Sequence, residues 1–279
     1  KRRGLKVNNV KKYFKIAVFL IALIITVLQY SFAQNYYVYN NIEDKKMSIN
    51  AGLWSAKLTG TLFAPSTNFT TDLSDDLGFG NTKTGFYFDF NYKLSNLNTV
   101  GFSYFNVEHK AVKTLTRNVT LPAEPVDINV ASNTTLFSNI RNSAFDLFYK
   151  RYVNTGENYD FYGMIGIRFN NFKADYSTNT AALASFKGNA PALFLGLGGK
   201  FNIGSNLNAF YEVNGLSVSL NSSSKNKFFQ YSLGLNYRFT ENWALSVGYR
   251  YLSSKFEDDL NRNADLKLQG LNFGLNLKF

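Results

Sequence analysis

Residues 83–94 read KTGFYFDFNYKL, and this stretch decides the fold because its side chains alternate in polarity. One face carries Thr84, Phe86, Phe88, Phe90, Tyr92 and Leu94, and the other carries Lys83, Gly85, Tyr87, Asp89, Asn91 and Lys93. Successive residues of a β-strand point to opposite faces, so this period of two predicts a strand with one apolar and one polar face.

The same alternation recurs downstream and predicts an all-β chain of ten antiparallel strands. Their expected bounds are 48–63, 83–94, 99–116, 134–152, 159–176, 190–202, 207–220, 227–239, 243–254 and 266–279. The connections after even-numbered strands are short, and those after odd-numbered strands are mostly longer and polar: 64–82, 117–133, 177–189, 221–226 and 255–265. Short turns on one rim and long loops on the other favour an up-and-down barrel of ten strands, with eight or twelve as alternatives.

The third predicted strand has an irregular pattern. Its apolar face changes from Val100, Phe102 and Tyr104 to Phe105 and Val107. A β-bulge near 104–106 is the expected cause, because one extra residue shifts the alternation by one. Strands three and four are expected to project as a hairpin with Leu121–Pro125 at or near its tip.

The chain begins with an export signal. Seven cations precede an apolar run from Ile16 to Leu28, and Ser31-Phe-Ala33 supplies small residues at the positions that a signal peptidase reads. The run is too short for a roughly 30 Å hydrocarbon core, so cleavage after Ala33 is predicted rather than a permanent helix. Residues 1–33 are therefore expected to be a signal peptide, 34–47 a short periplasmic segment and 48–279 the barrel.

Composition excludes some functions once this signal is removed. The formal net charge of +11 falls to +4, because seven of the 30 Lys and Arg and none of the 19 acids lie in residues 1–33. Such a balance gives no support to nucleic-acid binding. The absence of cysteine excludes disulfides and a lipid-modified cysteine, and the 27 Phe and 18 Tyr suit strands that face lipid.

The final strand carries a further motif. Asn272, Gly274, Leu277 and Phe279 place a polar residue, a glycine, an apolar residue and a terminal aromatic at offsets of 0, 2, 5 and 7. This spacing resembles the assembly signal of bacterial outer-membrane β-barrels. The resemblance implies an outer-membrane location with both termini periplasmic, and the barrel-assembly machinery, outer-membrane lipids and lipopolysaccharide as partners. The oligomeric state stays open.

Several outer-membrane barrels are enzymes, but the residues here give little support for that. Outer-membrane phospholipases and lipid A deacylases use a Ser and a His two apart on one strand face, whereas His109 is flanked there by Val107 and Ala111. Omptin proteases need acidic pairs with a histidine at the outer rim. The acids of the first and last long loops have no histidine beside them and are expected to be solvated: Asp72, Asp75, Asp76, Asp258 and Asp259. No catalytic, cofactor or metal residue is predicted.

Charges with inward parity are the remaining candidates for a site. They are Lys83, Asp89, Lys93, Asp146, Lys150, Asp160, Arg168, Lys200, Glu212, Arg238 and Arg250. Unpaired charges are costly in a narrow lumen, so a structural ion-pair network is favoured over a selectivity filter. The leading hypothesis is a non-enzymatic outer-membrane barrel that is structural or acts through its surface loops. A narrow channel for small or apolar solutes, or a lipid- or peptide-hydrolysing enzyme, are the alternatives.

Overall fold

The computed structural model describes residues 45–155, 158–179, 182–219 and 224–279. The predicted signal peptide and nearly all of segment 34–47 lie outside these residues and stay predictions. The strands in chain order are β1 (Met47–Ala64), β2 (Phe69–Asp72), β3 (Thr82–Ser95), β4 (Asn98–Thr114), β5 (Val119–Leu121), β6 (Ile128–Val130), β7 (Thr135–Thr155), β8 (Tyr159–Thr178), β9 (Ala182–Asn202), β10 (Leu207–Ser219), β11 (Ser224–Arg238), β12 (Trp243–Asp258) and β13 (Asn263–Lys278). Among the described residues, no helix has the length and hydropathy needed to cross a bilayer.

Ten of these strands close into an antiparallel barrel, as the sequence predicts. The ring order is β1, β3, β4, β7, β8, β9, β10, β11, β12 and β13, and β13 returns to pair with β1. At the closing seam the Met47 amide donates to the Phe279 carbonyl at 2.8 Å, and the Phe279 amide donates back at 3.0 Å. Closure removes the unpaired edges that an open sheet would expose.

The expected long loops are partly strand. β9 begins at Ala182 rather than at 190, and β11 begins at Ser224 rather than at 227. β12 and β13 likewise extend to Asp258 and Asn263, which leaves a connection much shorter than 255–265. Sequence reasoning placed the strand ends where apolar alternation stops, but backbone pairing continues beyond that point. The rim asymmetry therefore comes from long strand extensions as well as from loops.

An apolar belt surrounds the barrel beside the short turns. Phe88, Phe102, Phe145 and Phe169 form a continuous row across four strands, with successive ring centroids 5.6, 5.8 and 6.4 Å apart. On β12 the belt runs from Trp243 to Tyr251, which suits the roughly 9–11 residues that a tilted strand needs to cross a bilayer. Aromatic side chains at both margins are typical of a membrane-spanning barrel.

Polarity reverses above this belt, at the end of the barrel away from the termini. On β4 the inward residues Phe105, Val107 and Ala111 are buried, while Glu108 and Lys110 point outward. Pairing of β4 with β3 and β7 runs through 104–106 without a register shift, so the predicted β-bulge is wrong. The apolar face changes because the strand leaves the belt, after which its inner face packs in a core and its outer face meets water.

Candidate functional site

One ion pair in the lumen joins β7 to β8. Arg168 Nε and Nη2 donate to the two carboxylate oxygens of Asp146, each at 2.6 Å, and Nη2 also donates to Gln230 Oε1 at 3.0 Å. The Arg168 side chain is 1% exposed and that of Asp146 is 6% exposed. The Phe228 ring centroid lies 3.9 Å from the guanidinium carbon. This bidentate geometry and the stacked ring offset the cost of burying both charges.

The second ion pair lies between Lys150 on β7 and Glu212 on β10. Lys150 Nζ donates to Glu212 Oε2 at 2.8 Å, and the Tyr162 hydroxyl donates to the same oxygen at 2.8 Å. The Lys150 ammonium also lies 4.8 and 4.7 Å from the ring centroids of Phe148 and Tyr162. The contact crosses the lumen rather than running between neighbouring strands, so it fills the interior of the barrel.

Two further predicted charges lie in the lumen and form no salt bridge with another described residue. Asp89 accepts a hydrogen bond from Asn50 Nδ2 at 3.2 Å. The Arg250 guanidinium carbon lies 4.8 Å from the Tyr87 ring centroid and 5.7 Å from that of Trp54. Asp160 faces Lys200 in the register of β8 and β9.

The remaining predicted lumen charges lie near strand ends. Lys83 is exposed at the outer end of β3, opposite Ala56, where the interior is already apolar. Lys93 and Arg238 are half-buried beside the short turns. None of these three cations forms an ion pair within the described part of the chain. The sequence analysis did not assign Gln230 or Asn50 to the network, although each lies in an alternating strand whose parity places it inside.

The C-terminal motif lies at the seam of the barrel. Gly274 pairs in register with Gly52 on β1 and with Ser246 on β12. Asn272 is buried with the inward residues, and Leu277 faces Trp243 in the register of β12. The role of this motif in assembly stays a prediction.

A cap closes the end of the barrel opposite the short turns, which is called the outer end from here on. The cap consists of residues 65–81, with β2, and residues 115–134, with β5 and β6. Leu73, Phe79, Val119 and Leu121 of the cap are buried in one cluster with inward barrel residues such as Phe172. The prediction that Leu121 lies at or near the tip of a projecting hairpin is therefore wrong, because this segment folds back over the barrel core. Val126 at the far end of the turn is 69% exposed.

The two parts of the cap are locked together by a charged pair. Arg117 Nε and Nη2 donate to the two oxygens of Asp76, each at 2.8 Å, and Thr71 Oγ1 donates to the Thr120 carbonyl at 2.9 Å. Burial alone would raise the pKa of Asp76, but the hydrogen bonds from Arg117 and from the Asp72 amide, with the nearby positive charges, hold that pKa below its usual value. Asp76 is thus not the solvated loop acid that the sequence analysis expected.

The last outer turn also holds the cap. Arg262 donates from Nε to Asp258 Oδ2 at 2.6 Å, and its Nη1 donates to the carbonyl of Ala123 in the cap. The Glu124 amide donates to the Ser185 carbonyl at 2.9 Å and so joins the cap to β9. The contacts of Arg262 with Ala123 and of Glu124 with Ser185 connect segments far apart in sequence, so no local sequence pattern predicts them.

His109 belongs to the apolar core beneath the cap. It is 2% exposed, and its Nε2 lies 2.9 Å from the carbonyl oxygen of Ala56. This contact satisfies one ring nitrogen with backbone. A catalytic general base would instead lie within hydrogen-bond distance of a nucleophile or a water molecule.

Comparison with known proteins gives one family match and a set of similar folds. Residues 211–279 match the family model described as outer membrane protein beta-barrel domain. The outer membrane protease OmpT from Escherichia coli has a similar fold, with a TM-score of 0.53, 10% identity, and coverage of 88% of this chain and 99% of that chain. Ail, the attachment invasion locus protein of Yersinia pestis, has a TM-score of 0.41, 13% identity, and coverage of 84% and 99%. Among curated proteins, none matches this sequence.

At 10% identity the likeness to the protease concerns the fold alone. The family match covers the final strands, including the seam strand β13. Over these residues the sequence is similar to that family, and the closed antiparallel ring with its apolar belt has the fold of a transmembrane β-barrel; no subfamily is assigned.

Proposed function

We propose that this protein is a non-enzymatic barrel that acts at the cell surface through its outer end, with both termini in the periplasm. The observation that carries the proposal is the filled interior. Ion pairs and rings occupy the lumen within the belt, and an apolar core with a locked cap occupies the outer end. A barrel of about ten strands has little room beyond what such side chains fill.

The two rims of the barrel support this proposed direction of the chain in the membrane. Met47 and Phe279 pair at the rim of the short turns, and the cap lies at the other end. Short turns are typical of the periplasmic side of such barrels, and longer connections are typical of the outer side. The cap is therefore proposed to face the medium.

The outer end offers a surface for contacts. Val112 and Phe137 lie opposite each other on β4 and β7 and are 61% and 37% exposed. Both line an open groove of about 660 Å³ that also includes Glu124 of the cap. Exposed apolar side chains outside the belt are typical of interaction surfaces. The backbone contact of His109 supports a structural role for the one histidine in the chain.

Conductance in planar bilayers tests the proposal. The purified protein should show no stable porin-like conductance, with a sixteen-stranded porin as positive control, since open aqueous pores appear only near that strand number. Steady, large channels whose ion selectivity reverses when Arg168 is neutralised would make the protein a pore. Such channels would contradict the interpretation of the lumen charges as a structural ion-pair network.

A further inference from the structure

Two parallel rows of outward side chains form the groove at the outer end, which is named the outer groove from here on. The first row is largely apolar, and its members face one another across β4, β7 and β8: Val112, Phe137 and Ser177. The second row is polar, lies two residues along each strand and extends to β9: Lys110, Asn139, Asp175 and Ser185. Glu124 of the cap lengthens the polar row, because its amide donates to the Ser185 carbonyl at 2.9 Å. A ligand with one apolar side and one hydrogen-bonding side matches these two rows.

The spacing of the rows matches a sugar chain. The rows cross the strands, so their members repeat every 4.7–4.9 Å, roughly the 5 Å that each unit of an extended β-linked sugar chain advances. A peptide that adds as a strand needs an unpaired edge instead. The outer groove lies on the face of the sheet, where β7 is paired with β4 and β8, and β8 is paired with β7 and β9. The geometry therefore favours a sugar chain over a peptide strand.

The Phe137 ring is the aromatic surface of the apolar row. It is 37% exposed, and Val112 beside it is 61% exposed. The face of an aromatic ring carries partial negative charge, which attracts the weakly positive C–H bonds on the flat side of a sugar ring. When a sugar with equatorial hydroxyls stacks there, the hydroxyls point sideways, toward the polar row. The exposed ring and the neighbouring polar side chains thus match the two kinds of surface that one sugar unit presents.

The charges of the outer groove favour an uncharged ligand. Lys110 is paired with Glu108 at 3.6 Å, and Asp175 is paired with Lys173 at 2.7 Å. The lining itself carries one positive charge, on Lys110, and two negative charges, on Asp175 and Glu124, which leaves a formal charge of −1. This balance repels phosphate and sulfate groups. Carboxylates accept hydrogen bonds from hydroxyl donors, and bonds to a charged acceptor are among the stronger ones.

The outer groove lies well above the bilayer. Phe137 is eight residues beyond Phe145, the belt residue on the same face of β7. Eight residues of strand rise about 26 Å, and a tilt near 45° reduces this to about 19 Å. The polar layer of a leaflet is only about 5–8 Å thick. Acyl chains and lipid head groups of the surrounding membrane therefore do not reach the groove.

We propose that the outer groove binds an uncharged, extended β-linked oligosaccharide that is presented from outside the cell. One sugar ring stacks on Phe137, and its hydroxyls donate to the carboxylates of Asp175 and Glu124. The inference names the ligand class of the surface described above and rests on the proposed function, because an external sugar reaches the groove only when the cap end faces the medium.

Titration calorimetry with cellohexaose tests the sugar site. The purified protein is held in a detergent without a sugar head group, so that the detergent does not compete. Cellohexaose should bind saturably, whereas maltohexaose, which has the same composition but a curved α-linked chain, should bind much more weakly. Absence of saturable cellohexaose binding, or equal binding of both sugars, would overturn the proposal.

Variants of the apolar row locate the binding. Phe137→Ala should weaken cellohexaose binding roughly tenfold, because the stacked ring is lost. Phe137→Trp should keep the affinity, since it restores an aromatic face. Val126→Ala is the matched control, because Val126 is an exposed apolar residue of the cap outside the outer groove. Heat-modifiable gel mobility checks that each variant is folded, and a folded Phe137→Ala with unchanged affinity would contradict the stacking.

The polar row and the charge of the ligand are tested separately. Asp175→Asn should weaken cellohexaose binding about fivefold, because a charged acceptor becomes a neutral one. Dextran sulfate, an anionic polysaccharide, should not displace cellohexaose. Displacement by dextran sulfate would indicate a site for anionic sugars and overturn the proposal of an uncharged ligand.

Failure of the sugar site and failure of the proposed function are distinguishable. Calorimetry on purified protein does not depend on the direction of the barrel, whereas a cysteine at Val126 reports that direction through labelling on intact cells. Surface labelling without cellohexaose binding defeats the sugar site alone. Labelling only after the outer membrane is opened defeats the proposed direction, and with it the external source of the sugar, whatever the affinities are.

Discussion

The hydroxyl of Tyr87 lies over Gly274, in the space that a side chain at position 274 would occupy. Asn50 Oδ1 and Ser246 Oγ crowd the same space, at 2.8 and 2.9 Å from where a β-carbon would stand. Because Tyr87 is fully buried, it cannot move aside into solvent. The packing at the seam of the barrel therefore leaves no room for a side chain at position 274.

Gly274→Ala should therefore destabilise the folded barrel by about 1–3 kcal/mol through overpacking. Unfolding in urea, followed by heat-modifiable gel mobility, measures the change. Gly204→Ala is the control, since no atom lies within 4 Å of a β-carbon at that turn. Adding Tyr87→Phe should recover part of the loss. Equal stability of Gly274→Ala and Gly204→Ala would show that the crowding has no energetic effect.

The assembly motif can be separated from this packing effect in cells. Deleting Phe279, or replacing Leu277 with Asp, should lower outer-membrane levels and leave precursor or periplasmic aggregate. The purified Phe279 deletion should still refold in detergent, because most of β13 keeps its pairing with β1 and β12. Normal insertion of both variants in cells would contradict the assembly-signal prediction.

Replacing Arg168 with Gln should cost about 3–5 kcal/mol, because it leaves the Asp146 carboxylate buried without its partner. The same substitution at half-buried Arg238, which forms no ion pair within the described residues, should cost about 1 kcal/mol or less. Urea unfolding measures both. The double variant Asp146→Leu/Arg168→Met should regain most of the loss, and a double variant as unstable as Arg168→Gln would show that the pair itself supplies the stability.

The direction of the barrel can be tested by cysteine labelling, because the chain has no native cysteine. Cysteines at Thr67, Val126 and Leu260, all exposed at the cap end, should react with an impermeant thiol reagent on intact cells. Cysteines at Asn96 and Asn242, exposed at the short turns, should react only after the outer membrane is opened. The reverse pattern would invert the barrel.

Arg117→Gln should loosen the cap without unfolding the barrel. The Arg117 side chain is 57% exposed, so solvent screens its pair with Asp76 and the pair contributes little to the stability of the barrel. Limited proteolysis by elastase, which cuts after small aliphatic residues such as Val119, Val126 and Val130, should then cut residues 115–134 several times faster, with Arg141→Gln as control. An unchanged rate would show that the apolar contacts of the cap suffice.

The same pair predicts how the cap responds to acid. The pKa of Asp76 is lowered in the fold, so its contribution is complete above the ordinary value of 3.8 and is lost as pH falls below it. Cleavage of the cap should be equal at pH 7 and pH 5 and should rise near pH 3, where an acid-stable protease such as pepsin reports it. A rise already at pH 5 would assign the opening to another group.

The alternation of apolar and polar side chains predicted the ten strands and most inward charges. It did so because each strand, where it crosses the belt, has lipid on one face and the lumen on the other. It failed on β4, where Phe105 and Val107 were attributed to a bulge, because a single environment was assumed for the whole strand. It also failed for Leu121, which was expected at or near the tip of a projecting hairpin and instead packs in the core. Contacts such as Arg117 with Asp76 or Arg262 with Ala123 join distant segments, so only the folded chain reveals them.

The reversal of polarity along each strand determines the depth at which that strand sits in the bilayer. On β4, moving the strand toward the short turns by four residues would bring Glu108 into the lipid at the level now held by Tyr104. Moving it the other way would lift Phe102 out of the hydrocarbon into water. Slipping by a single residue would turn Glu108 into the core and Val107 outward. The polarity pattern of each strand therefore sets the depth of that strand in the bilayer. The ten strands together set the position of the barrel along the membrane normal.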